Sequence, residues 1–130
     1  MTRVIKLTIA YDGTDYVGWQ RQKNGLSIQQ VVERAWREVT SEEVIATASG
    51  RTDSGVHALG QVVGIPTESK LPPDVLLRAM NTYLPKDVVV LTAEEARADF
   101  DPIRHAKRKR YRYVIQDGRI LDVLARRFIW

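Results

Sequence analysis

Residues 50 to 58 read GRTDSGVHA, and Asp53 stands in them between Gly50 and Gly55. The glycines permit backbone geometry that a side chain would forbid, so the aspartate can be presented from a tight loop rather than from a regular strand. Arg51, two positions earlier, is within reach of the same carboxylate and can keep it ionised and aimed. A carboxylate held in this way can act as a nucleophile. The alternative is a polar turn with a local Arg51 to Asp53 contact, which is all that an isolated TDSG would mean. Cysteine is absent and the histidines are two, His57 and His105. That composition excludes disulfides, thiolate catalysis and Cys-based zinc sites, and it argues against a metal centre.

A second group of residues suits a different task. The net charge is +4, with 7 basic and 7 acidic side chains in residues 1 to 65 against 13 and 9 in residues 66 to 130. Most of the excess lies from Arg104 to Arg112, where six Lys or Arg occur without an acid and run into Tyr111 and Tyr113. Lys and Arg neutralise phosphates and tyrosine rings stack on bases, so Arg104, Lys107, Lys109, Arg110 and Tyr113 are candidate nucleic-acid contacts. A charge run by itself is a solvated face; the interleaved tyrosines favour nucleic acid. The triplet Asp12-Gly13-Thr14 suggests a haloacid-dehalogenase type of phosphatase, but the position two residues before Asp12, where that nucleophile belongs, is Ala10.

Elements must position these groups. Arg3 to Tyr11 alternates, with Ile5, Leu7, Ile9 and Tyr11 on one face, which predicts a half-buried strand. A loop follows through Gly18, Trp19, Gln20 and Gln22. Ser27 and Gln30 fit a capping box, and Ile28, Val31, Val32, Ala35, Trp36 and Val39 form a helical stripe. Trp36 is therefore assigned to the core, while Trp19, in a glycine-containing loop, is open to a functional role. Strands are expected at Val44 to Ser49 and Gln61 to Ile65, before and after the aspartate loop. Pro72-Pro73-Asp74 opens a second helix that Pro85 ends, and Val88 to Leu91 is a β-branched strand. The order is strand, helix, strand, strand, helix, strand. It predicts an α+β, ferredoxin-like (split βαβ) domain with an antiparallel sheet and helices on one face. A fifth strand is expected over the Tyr111 region, with Lys107, Lys109, Tyr111, Tyr113 and Ile115 on one face. With 130 residues and 44% hydrophobic content, one domain is expected. No apolar run reaches the roughly 20 residues of a membrane span, and the N-terminus is not a signal peptide, so a soluble, cytoplasmic protein is expected.

The motif GRTDSGVHA resembles the signature of the TruA family of tRNA pseudouridine synthases. Tyr11 to Gln22 (YDGTDYVGWQRQ) is similar to that family's N-terminal motif, and Lys109 to Ile115 (KRYRYVI) to its downstream tyrosine strand. The resemblance covers essentially the whole chain and implies isomerisation of uridine to pseudouridine in the tRNA anticodon stem-loop, without cofactor or metal. It implies Asp53 as nucleophile, Arg51 as its partner and as a residue holding the flipped nucleotide, and Tyr111 as the active-site tyrosine; Tyr113 on the same face is an alternative for the structural part of that role. Gln20 and His57, in the two motif loops, join the RNA-binding set, His57 as a loop-structuring hydrogen bonder rather than a general base. Family members are about twice this long and dimerise, so the chain is expected to be an N-terminal half whose second domain is absent, with tRNA as partner and a homodimer implied. Where the family has Phe-His, this chain has Phe100-Asp101, and Ser54 replaces its Ala. A non-catalytic RNA-binding module of the same fold is the rival reading.

Overall fold

The computed structural model describes residues 2–103. Strand β1 (Arg3–Tyr11) keeps the alternation of its sequence, burying Ile5, Leu7, Ile9 and Tyr11 while Lys6, Thr8 and Ala10 stay partly exposed. It is followed by α1 (Ile28–Thr40), β2 (Thr47–Ala48), β3 (Ala58–Thr67), α2 (Pro73–Tyr83) and β4 (Val88–Ala96). The sheet order is β2-β3-β1-β4, with every pairing antiparallel. This is the expected ferredoxin-like α+β domain. Both helices contribute to one core with the odd-numbered face of β1: Val32 and Trp36 from α1, and Leu76 and Met80 from α2, are fully buried beside Ile5, Leu7, Ile9, Val63 and Ile65.

The helix boundaries follow local chemistry. Ser27 accepts from the Gln30 amide at 3.1 Å while the Gln30 side chain takes the Ser27 N–H at 3.0 Å, the reciprocal pair expected from the sequence. At the other end Ser41 is left-handed (φ 64°) and returns its N–H to Arg37 at 2.8 Å. Helix α2 starts with Pro73, whose missing N–H costs nothing in a first turn. Asn81 on α2 then clamps both backbone groups of Val90, at 2.8 and 2.9 Å.

Three strands differ in length from their expected spans, each for a physical reason. β2 shrinks to two residues because Ala46 gives its N–H to Glu33 and its carbonyl to Gln29, both on α1, instead of to a strand. β3 extends to Thr67 through Gly64 and Pro66, residues that ordinarily break strands. Pro66 is tolerated on a stretch of β3 beyond the reach of β2. β4 runs on to Ala96 because its antiparallel ladder with β1 continues to Val4, with Glu94 and Glu95 within 3.3 and 3.5 Å of Lys6 and Arg3 as exposed cross-strand pairs where apolar alternation has ended. The expected fifth strand lies outside the described residues. Among the described residues no helix is long and apolar enough to cross a membrane.

This topology collects one end of the sheet. Tyr11, the last residue of β1, stands opposite Ala58, the first of β3, and Val88, the first of β4. The loops after Tyr11, before Ala58 and before Val88 therefore meet.

Candidate active site

The aspartate loop is built against the loop that follows β1. Its incoming limb is held from the sheet: the Gln61 side chain donates to the Gly50 carbonyl and accepts from the Ser49 hydroxyl at 3.0 Å. Thr52 is held twice, its hydroxyl by the Tyr11 phenol at 2.7 Å and its carbonyl by the Trp19 N–H at 3.0 Å. The outgoing limb is held by Tyr16, whose carbonyl accepts from the Gly55 N–H at 3.2 Å and from the Ser54 hydroxyl at 3.3 Å. A turn closes the apex, with the Val56 N–H reaching the Asp53 carbonyl at 3.1 Å and Gly55 at φ +81°, the value a type II turn needs at its third position.

The first loop is shaped to receive the second. Gly18 has φ +103°, and a Cβ there would stand 2.4 Å from the Thr52 carbonyl oxygen and 3.1 Å from the Asp53 carbonyl carbon. A Cβ on Gly13 would overlap the Val56 carbonyl. The Gly13 N–H instead donates to His57 Nδ1 at 2.9 Å, and Asp12 Oδ1 lies 3.2 Å from the same nitrogen. His57 thus ties the two motif loops together. The third loop joins through Asp87, which accepts the Tyr16 hydroxyl at 2.6 Å and, with its carbonyl, the Asp12 N–H at 2.9 Å. Burial pushes the Tyr16 phenol well above the ordinary tyrosine value, assisted by the hydrogen bond to Asp87 and by that carboxylate's charge. Burial likewise raises Tyr11, against the hydrogen bonds to Thr52 and Gln61. Both phenols keep their protons and serve as dependable neutral hydrogen bonders rather than bases.

The residues singled out from the sequence fare differently. Asp53 sits at the apex with its side chain exposed, and Arg51 is exposed as well. The ion pairs among the described residues join other partners, and none links Arg51 to Asp53. An exposed pair gains only about 0–1 kcal/mol, too little to fix an arginine in one geometry. Gln20 is exposed beside the loop. Trp19, whose place in a glycine-containing loop had left a functional role open, is 3% exposed and belongs to the core, and Trp36 is buried with its Nε1 donating to Glu42 at 3.2 Å. Tyr111, Arg104, Lys107, Lys109, Arg110 and Tyr113 lie outside the described residues. Tyr11, Thr52 and Gln61 were not anticipated as site residues. A polar end to an otherwise apolar alternation was the one available signal for Tyr11.

Among the described residues no group of three or more His, Asp or Glu side chains is placed to hold a metal. Among the described residues the apex of the aspartate loop is exposed. A shallow cavity of about 460 Å³ is lined by Val39, Thr40, Glu42, Glu68, Ser69 and Leu71. It opens at the other end of β3, roughly 30 Å of strand away from the loop.

Comparison with known proteins gives this geometry a context. A family model described as tRNA pseudouridine synthase matches residues 7–103. The chain is 46% identical over 128 residues to a tRNA pseudouridine synthase A of Pelobacter propionicus, covering 98% of this chain and 52% of that protein. It is 48% identical over 125 residues to one of Roseiflexus sp., with 96% and 46% covered, and 46% identical over 128 residues to one of Geobacter sulfurreducens, with 98% and 52% covered. The chain spans about half the length of the curated relatives it matches.

Proposed function

The chain belongs to the tRNA pseudouridine synthase family, and from that premise we propose that it carries the nucleophile-bearing half of an isomerase that converts uridine to pseudouridine in the anticodon stem-loop of tRNA. The observation that supports this best is the mounting of Asp53: the loop around it is fixed at Gly50, Thr52, Ser54, Gly55 and His57, while Asp53 itself stays exposed among the described residues, as a group that must meet a nucleotide carried by a macromolecule has to be.

The reaction moves no atoms in or out. The bond from uracil N1 to ribose C1′ breaks, the detached base turns, C5 bonds to C1′, and the proton on C5 leaves while N1 regains one. The Asp53 carboxylate is the nucleophile, adding either to the uracil ring or to the ribose and departing when the new bond has formed. Removal of the C5 proton is general-base work, for which Asp53 and Tyr111 are the candidates. A stacked uridine must first leave the helix, at a cost of a few kcal/mol, and the exposed Arg51 guanidinium is suited to fill the gap or hold the extruded phosphate. Arg104, Lys107, Lys109, Arg110 and Tyr113 supply the tRNA-binding charge and stacking, with Gln20 at the rim of the loop. The partners in this reading are tRNA, a second domain in cis and a second copy of the protein, in the cytoplasm.

A rival reading takes the chain as a recognition half without turnover, and the half-length coverage of its relatives favours it. One assay separates the two: nucleoside-resolved pseudouridine formation on transcribed tRNA, with this chain and its Asp53→Ala variant. Product from the unsubstituted chain alone, with tRNA binding retained by the variant, is the expected result. Product from both would remove Asp53 from the mechanism. No product from either, with salt-dependent binding, would establish the recognition reading.

A further inference from the structure

The Asp53 carboxylate makes no hydrogen bond or ion pair with any described residue, so its position is inherited from its backbone. That backbone is located chiefly through the residue before it. Thr52 is gripped at its hydroxyl by Tyr11 and at its carbonyl by Trp19, and Gly18 closes in beneath the Thr52–Asp53 peptide. Tyr11 is the firmest of these anchors. It is 4% exposed, ends the central strand β1, and is flanked by Ala58 on one side and Val88 on the other.

We propose that Tyr11 is a positioning residue for Asp53, transmitting the rigidity of β1 to the nucleophile through the hydrogen bond between its phenol and the Thr52 hydroxyl. The inference rests on the reading of Asp53 as the nucleophile. Two fixed points, one on the side chain of Thr52 and one on its carbonyl, remove rotation of the peptide that leads into Asp53. Removing the first leaves the second as a pivot. A displacement on the order of 1 Å at a reacting carboxylate is sufficient to cost up to about a hundredfold in rate. RNA affinity, which draws on many phosphate contacts elsewhere, is untouched by such a pivot.

The test is steady-state kinetics of pseudouridine formation on transcribed tRNA for the chain and its Tyr11→Phe, Thr52→Val, Thr52→Ser and Tyr11→Phe/Thr52→Val variants, together with ¹⁵N relaxation of the Asp53 amide. Tyr11→Phe and Thr52→Val are each expected to lower kcat by about 10-fold to 100-fold while KM stays within about twofold. The double variant is expected to be no slower than Tyr11→Phe, because the bond that Thr52→Val removes is already broken in Tyr11→Phe, which also loses the contact with Gln61. Thr52→Ser, which keeps the hydroxyl, restores kcat. The Asp53 amide order parameter falls from about 0.85 toward 0.6 in Tyr11→Phe. An unchanged kcat, a loss confined to KM, or losses that multiply in the double variant would overturn the inference while leaving the nucleophile reading intact. If the unsubstituted chain gives no product that depends on Asp53, the nucleophile reading fails for this chain, and the relaxation measurement decides the positioning: unaltered order at Asp53 in Tyr11→Phe overturns it.

Discussion

Glycine at position 18 is imposed by contact as well as by conformation, since φ +103° is hostile to a side chain and the Thr52 carbonyl occupies the place of a Cβ. Replacing it forces either the first loop or the aspartate loop to move. Gly18→Ala is expected to lower stability by about 1–3 kcal/mol, measurable as a drop in the urea midpoint, and to reduce product formation beyond what the stability loss explains. Glu42 is a second single residue with a testable chemistry. Burial alone would raise its carboxyl, but hydrogen bonds from Thr67, the Glu68 N–H, Trp36 and Thr40 outweigh burial and hold it below the ordinary glutamate value of 4.5. A depressed carboxyl contributes stability above its unfolded pKa and loses it as pH falls through the folded one. Glu42→Gln is accordingly expected to cost more stability at pH 7 than at pH 3, read from thermal melts at the two pH values; an equal cost at both would show that the carboxylate's charge is not what matters.

At the scale of elements, α1 does two jobs, filling the core and bracing both loops. Its N-terminal turn takes the Gly18 and Trp19 carbonyls through the N–H groups of Ile28 and Gln29, at 3.1 and 2.9 Å, so helix and loop start from one another. Glu33, nearly buried, pairs with Arg21 from the first loop and accepts the Ala46 N–H ahead of β2. Removing the cap by Ser27→Ala is expected to cost about 1 kcal/mol, and Trp36→Ala about 3–5 kcal/mol, both read by denaturant unfolding. The cap variant carries the more local signature: raised amide exchange in Ile28 to Val31 and at Trp19 before the rest of the domain opens. By contrast Glu94→Ala, which breaks a largely exposed cross-strand pair with Lys6, is expected to change stability by less than about 1 kcal/mol.

For the molecule as a whole, the basic run from Arg104 to Arg112 gives the proposed RNA contact a test through its charge. If the basic run binds phosphates, replacing Lys107, Lys109 and Arg110 together by Ala should weaken tRNA binding and reduce the slope of log affinity against log salt by about 0.7–0.9 for each phosphate no longer neutralised. An unchanged slope would place the RNA elsewhere. Much of the architecture was legible in the amino-acid order, because alternation in β1, the capping box at Ser27 and the prolines around α2 are local signals that need no tertiary partner. The nucleophile candidate was legible too, from GRTDSGVHA itself. Tertiary structure alone decided the rest. The start of β2 was set by side chains of α1 and the length of β4 by its ladder with β1, Trp19 was drawn into the core by the fold around it, and among the described residues no ion pair joins Arg51 to Asp53. Local propensity is written in neighbouring residues, so sequence determines where a helix or a turn begins. The hold on Asp53 runs through Tyr11, Tyr16, Trp19 and Gln61, up to about forty positions away in the chain, and such contacts exist only once the sheet has brought three loops to one end.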